Sequence, residues 1–202
     1  MTTSTAPLAH GITAPRTLVT VGVFTALYFF FMFAGGMLGI FHPAMMFVGG
    51  VISAVLNGIV CMLMVAKTRA MGAYAILGGV VGLLMVATGH YWASALIAVV
   101  FGAIADAITR AGGYTRTTAN ALGYAIFSLW GISPLLPLLL NSDAYLADLS
   151  DQMGADYAQS FERVFTLPVI GVWMVVSFIL SYGAAVLGMR ILRRHFERAG
   201  VA

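Results

Sequence analysis

TLVTVGVFTALYFFFMFAGGMLGIFHPAMMFVGGVISAVLNGIVCMLMVA, Thr17–Ala66, runs between Arg16 and Lys67 without a single Asp, Glu, Lys or Arg. A membrane-spanning helix needs about 20 mainly apolar residues, so this stretch has room for two. Proline cannot continue a helix and pushes the residue before it away from helical angles, so Gly39-Ile40-Phe41-His42-Pro43 marks where the two part. Reading outward, charge is absent again between Arg69 and Asp106, between Arg116 and Asp143, and between Arg163 and Arg190. The first of these holds two more helices, separated at Thr88-Gly89-His90-Tyr91-Trp92, a glycine among polar and interfacial aromatic residues that suits a tight turn at headgroup level. The other two hold one helix each. The sequence therefore predicts an all-α integral membrane protein with six transmembrane helices in one bundle, at about 17–38, 44–66, 70–88, 92–110, 118–140 and 165–189.

Composition agrees. Hydrophobic residues make up 61% of the 202 and charged residues 8%, against roughly 25% charged in a soluble domain. A cytosolic enzyme, a disulfide scaffold and a disordered chain are excluded, because so few charges cannot cover a water-facing surface. The lone Cys61 can form no internal disulfide. With both termini on one side, that side collects Arg16, Lys67, Arg69, Arg110, Arg116, Arg190, Arg193, Arg194 and Arg198, and the other side holds only Arg163. Basic loops stay inside, so both termini are expected in the cytoplasm. Residues 1–16, rich in Ser, Thr and Ala, read as a disordered cytoplasmic tail and 17–202 as the membrane domain. A cleaved signal peptide fits poorly, since the apolar run after Arg16 is too long. The net charge of +3 points to membrane orientation and not to nucleic acid.

Small residues recur at four-residue spacing: Gly22 and Ala26; Gly50, Ala54 and Gly58; Gly78 and Gly82; Ala98 and Gly102; Ala184 and Gly188. In lipid such stripes let helix backbones approach closely. Internal packing accounts for most of them, and the Gly22–Ala26 stripe is open to a second use, docking a partner helix. Asn57 is the one strong polar group at depth and reads as a helix–helix hydrogen bond, and Asp106 with Arg110 one turn later as an ion pair at a cytoplasmic helix end. The long segment 141–163 reads as an external lid or re-entrant cap, its Asp143, Asp148, Asp151, Asp156 and Glu162 as a solvated face.

No Walker glycine loop, HExxH, GxSxG or intramembrane carboxylate pair is present, so the chain is not expected to be an enzyme or to hydrolyse ATP. No mid-membrane charge is present to relay protons or sodium. If it transports, another subunit supplies the energy. His90 is open to three readings, as a satisfied turn residue, a pH-sensitive group or a metal ligand; no His-x-x-x-His spacing joins it to His42, and a metal site built by the chain alone has little support.

Five pieces in order carry a family resemblance: Phe24-Thr25-Ala26-Leu27-Tyr28-Phe29, Thr88-Gly89-His90-Tyr91-Trp92, Phe101-Gly102-Ala103-Ile104-Ala105-Asp106, Leu122-Gly123-Tyr124-Ala125-Ile126-Phe127-Ser128-Leu129-Trp130, and the ending His195-Phe196-Glu197-Arg198-Ala199-Gly200-Val201-Ala202. They resemble the MptD-type S components of energy-coupling-factor (ECF) transporters, also catalogued as Trep_Strep integral membrane proteins. His42-Pro43 departs from the apolar turn expected in relatives.

The resemblance implies a six-helix subunit of the bacterial cell membrane that binds a micronutrient near its outer face. It implies as partners an EcfT-like transmembrane coupling protein and two cytoplasmic ATPases. It maps the docking stripe onto Gly22 and Ala26 and the pocket gates onto Gly39–Pro43 and Thr88–Trp92. The expected ligand-binding residues are His90, Tyr91, Trp92, Met85 and His42. No intrinsic cofactor is expected; haem or a porphyrin is the first-guess cargo, with His90 as axial metal ligand against Tyr91, Trp92 and Met85. A planar vitamin stacked on the same aromatics is the alternative, and a membrane assembly or partner-binding protein is the non-transport reading.

Overall fold

A computed structural model describes residues 12–198, with side chains to Arg193. Among them the chain is helical without strands: α1 Pro15–Met37, α2 Met45–Thr68, α3 Ala73–Ala87, α4 Ala93–Ala111, α5 Thr117–Ser128, α6 Leu136–Leu140, α7 Ser142–Met153, α8 Ala155–Val164 and α9 Leu167–Arg198. Short 3₁₀ turns extend α1 through Leu38–Ile40 and join α5 to α6 through Leu129–Leu135. Pro134 and Pro137 tighten that second region, since neither can donate a helical hydrogen bond.

Five stretches are long and apolar enough to cross a bilayer: Pro15–Ile40, Met45–Thr68, Ala93–Ala111, Thr117–Leu140 and Leu167–Arg193. The stretch expected at 70–88 is a shorter apolar helix, the 15 residues of α3. At 1.5 Å per residue it is about 22 Å long, against a hydrocarbon core of about 30 Å. Of the expected tail, residues 1–11 lie outside the described residues. Pro15 and Arg16 already belong to α1, with proline at the first helical position where its missing N–H costs nothing, and Ile12 packs against the core.

The helices pack through small residues. On α2 and α9, a Cβ on Gly58 would meet the Ala184 Cβ at 2.8 Å, and one on Gly188 would meet Ile59 Cα at 3.2 Å. Between α3 and α4, Gly78 abuts the Ala98 carbonyl, Gly82 faces Ala95 Cα at 2.5 Å and Gly102 faces the Tyr74 carbonyl at 2.6 Å. Gly35 on α1 and Gly49 on α2 touch backbone to backbone, a contact that the four-residue pattern did not single out. Gly22 differs from all of these: among the described residues nothing lies within 4 Å of its would-be Cβ, and Gly22 and Ala26 are both exposed on α1.

Asp106 corrects an expectation. Its carboxylate does not pair with Arg110. It accepts the backbone N–H groups of Tyr74 and Ala75 at 3.1 and 3.0 Å, capping the start of α3 from α4. The unpaired amides at a helix start and its positive dipole end attract a carboxylate more strongly than an arginine free to reach water. Arg110 instead lies 2.9 Å from the Met71 sulfur on the exposed surface.

Residues 141–163 form the hairpin of α7 and α8, split at Gly154 with φ +91°. Phe161 and the partly buried Tyr145, Leu146, Leu149 and Tyr157 pack against Leu135, Leu138, Phe165 and Ile170. All five acidic side chains of the hairpin are exposed.

Candidate functional site

At one end of the bundle, where the turns at 38–44, 88–92 and 129–135 and the start of α9 meet, lies a cavity of about 410 Å³. The other end holds Arg16 at the start of α1, Lys67 and Arg69 at the end of α2, Arg110 and Arg116 around the α4–α5 turn, and Arg190 and Arg193 late in α9. The cavity is thus built at the end poor in basic residues.

Two aromatic groups frame it. Phe47 stands 5.2 Å from Phe165 and 4.9 Å from Trp173, centroid to centroid, and Trp173 lies over Gly50, whose missing side chain makes the room. The second group is Tyr28 of α1 and Trp130, whose Nε1 donates to the Tyr28 Oη at 3.2 Å. Buried Tyr124 also borders the cavity and donates from its Oη to the Ala54 carbonyl at 2.8 Å. Trp130 is held on the 3₁₀ segment, which departs from the regular helix before Pro134.

Polar groups lie among these walls. Ser53 Oγ is used internally, donating to the Phe31 carbonyl at 2.9 Å. Asn57 and Ser181 also border the cavity and are 2% and 0% exposed; among the described residues the Asn57 Oδ1 has no hydrogen-bond partner, while Ser181 lies beside the Tyr124 hydroxyl. The reading of Asn57 as a helix–helix hydrogen bond does not hold for that oxygen. Buried polar atoms are nearly always paired, so the unpartnered Asn57 oxygen on the cavity needs an explanation.

The residues expected at the site separate. Met85 and His90 border the cavity. Tyr91 and Trp92 lie outside it, their rings tilted against each other with centroids 5.7 Å apart, and Trp92 is 61% exposed. His42 is exposed and outside the lining; its Nδ1 accepts the Ala44 N–H at 3.1 Å, stapling its own proline turn. The gate segment Gly39–Pro43 reaches the cavity through Ile40 and not through the histidine.

The turn that carries His90 is a Schellman ending of α3. Gly89 takes φ +92° and donates to the Val86 carbonyl at 3.0 Å, while the His90 N–H donates to the Met85 carbonyl at 3.0 Å. The imidazole folds back on the same group, with Nδ1 3.2 Å from the Met85 carbonyl oxygen and from Thr88 Oγ1. A carbonyl can only accept, so the proton is assigned to Nδ1, leaving Nε2 with its lone pair. Burial outweighs the Met85 hydrogen bond and holds the imidazole pKa below its usual 6.5, favouring the neutral form. Among the described residues no three His, Cys, Asp or Glu side chains converge as a metal site.

Trp130, Trp173, Phe47, Asn57 and Ser181 were not singled out for the site from the sequence. A signal existed for Gly50: a small residue in the apolar middle of α2 leaves space for a large side chain on a neighbouring helix.

Residues 15–198 match a family described as "Hypothetical bacterial integral membrane protein (Trep_Strep)". No curated protein and no solved structure matches the chain.

Proposed function

We propose that this chain, which belongs to the Trep_Strep family of bacterial integral membrane proteins, is the substrate-binding subunit, or S component, of an ECF-type importer in the bacterial cytoplasmic membrane. The observation that carries this reading is the aromatic-walled cavity at the end of the bundle away from the basic residues. With basic loops held inside, that end faces out, both termini face the cytoplasm, and all six apolar helices cross. The 15-residue α3 crosses with its flanking turns completing the span or with local thinning of the bilayer.

The chain carries no phosphate-binding loop, so ATP hydrolysis belongs to two cytoplasmic ATPases reached through an EcfT-like coupling protein. The outward stripe of Gly22 and Ala26 supports a docking role, because both are exposed and no described residue meets a Cβ at Gly22, which permits close approach by a partner helix. The cargo is a small planar organic micronutrient. Haem is the second reading, favoured by one observation: His90 at the cavity keeps Nε2 free for iron.

Tagged protein purified from its own membranes in mild detergent should bring down a membrane coupling protein and two ATPases with Walker motifs. A chain that elutes alone from membranes containing such a module contradicts the proposal.

A further inference from the structure

We propose that the cavity takes an uncharged, flat heterocyclic ligand, inserted edge-first so that a ring N–H donates to Asn57 while Ser181 completes the contact. This deepens the substrate-site reading above and rests on it. Among the described residues no Asp, Glu, Lys or Arg lines the cavity. A carboxylate or phosphate brought into it would lose its water without gaining a cation. Outside, the hairpin exposes Asp143, Asp148, Asp151, Asp156 and Glu162 against Arg163 alone, a field that repels anions from that end. The two propionates of haem meet both obstacles.

The cavity also supplies what a neutral ring needs. Phe47, Trp173, Tyr28 and Trp130 line it, an aromatic wall suited to a flat molecule. Asn57 and Ser181 stand on helices locked together next to them, since Gly58 and Ala184 are in close contact. The Asn57 oxygen is therefore held in place with no partner among the described residues, ready for a donor that the ligand brings, with the Ser181 and Tyr124 hydroxyls on the same wall.

The test uses the full chain in lipid nanodiscs, titrated calorimetrically with riboflavin and lumichrome as uncharged flat probes, with riboflavin phosphate as the same ring carrying charge, and with haem. We expect saturable binding of at least one uncharged probe, at least tenfold tighter than riboflavin phosphate or haem. Asn57→Leu and Ser181→Ala should each weaken it by roughly 3- to 10-fold, the range of one net hydrogen bond. The melting temperature of Asn57→Leu should equal or exceed that of the wild type, because an unpartnered buried oxygen is removed; a merely structural asparagine would give the opposite pair of results. Tighter binding of haem or riboflavin phosphate, no saturable binding of either uncharged probe, or unchanged affinity in both variants overturns the inference. Should Asn57→Leu not fold, Ser181→Ala and the charge series still decide it. Co-purification of the coupling module is independent of these titrations, so a chain that recruits the module but rejects both uncharged probes sinks this inference alone.

Discussion

The Tyr157 hydroxyl donates to the Gly39 carbonyl at 2.7 Å, joining the α7–α8 hairpin to the turn between α1 and α2. Gly39 is buried and its would-be Cβ would meet the Met46 side chain at 2.5 Å, so the turn has little slack. No hairpin residue lines the cavity; the hairpin's Phe161 packs instead in one cluster with Leu135 and Phe165, which do. Tyr157→Phe keeps the ring packing and removes the bond, at a cost of about 1 kcal/mol. Faster amide exchange is expected in 38–44 and 142–164, with α4 unchanged. Equal protection of the hairpin in both proteins would show that the bond does not hold it.

Asp106 is a structural cap for α3. Asp106→Ala leaves the Tyr74 and Ala75 amides without their acceptor in a buried place, and should lower stability by about 1–3 kcal/mol. Asp106→Asn retains one accepting oxygen and should lose less. Thermal unfolding of the three proteins in the same detergent gives the order. A ranking in which Arg110→Ala costs as much as Asp106→Ala would restore the ion-pair reading.

Gly22→Leu and Gly78→Leu should fail differently. Gly22 faces open space, so its leucine variant should fold and melt like the wild type but lose the coupling protein in pull-downs, because the bulk separates helix axes. Gly78 abuts the Ala98 carbonyl, so its variant should fail to accumulate as folded protein. Undiminished co-purification with Gly22→Leu would remove the stripe from the docking surface.

His90 should give a pH signature. Its pKa in the folded protein lies below 6.5, so in the window beneath 6.5 the unfolded chain binds a proton that the folded chain does not. Its contribution is therefore complete above that value, falls as the pH drops through it, and levels off below the folded pKa. The difference in melting temperature between the wild type and His90→Gln should shrink across this window on acidification. A constant difference from pH 8 to pH 5 would contradict the assignment.

The helices were legible because their cause is local. Absence of charge over long stretches, Pro43 and Gly89 all act within a few residues of where they stand, and the breaks fall where they predict. The site was less legible because it is built from distant pieces. Trp173 enters the cavity only because Gly50, 123 residues earlier, leaves room for it. Tyr91 and Trp92 follow His90 directly, but the left-handed Gly89 turns the chain so that only the histidine borders the cavity. Asp106 was misread for a related reason. The nearest opposite charge in sequence is one turn away, while its true partners, two amides at the start of α3, are brought to it by close packing of α3 on α4.

The claim that this chain is a subunit driven by a separate coupling module is tested most directly at Ala26. A photoreactive amino acid placed there, in cells with and without the module, captures whatever touches the exposed face of α1. The expected result is an adduct with the membrane coupling protein that disappears in cells lacking it. Identical adduct patterns in the two strains, with lipid or the chain itself as the only captured species, would contradict it.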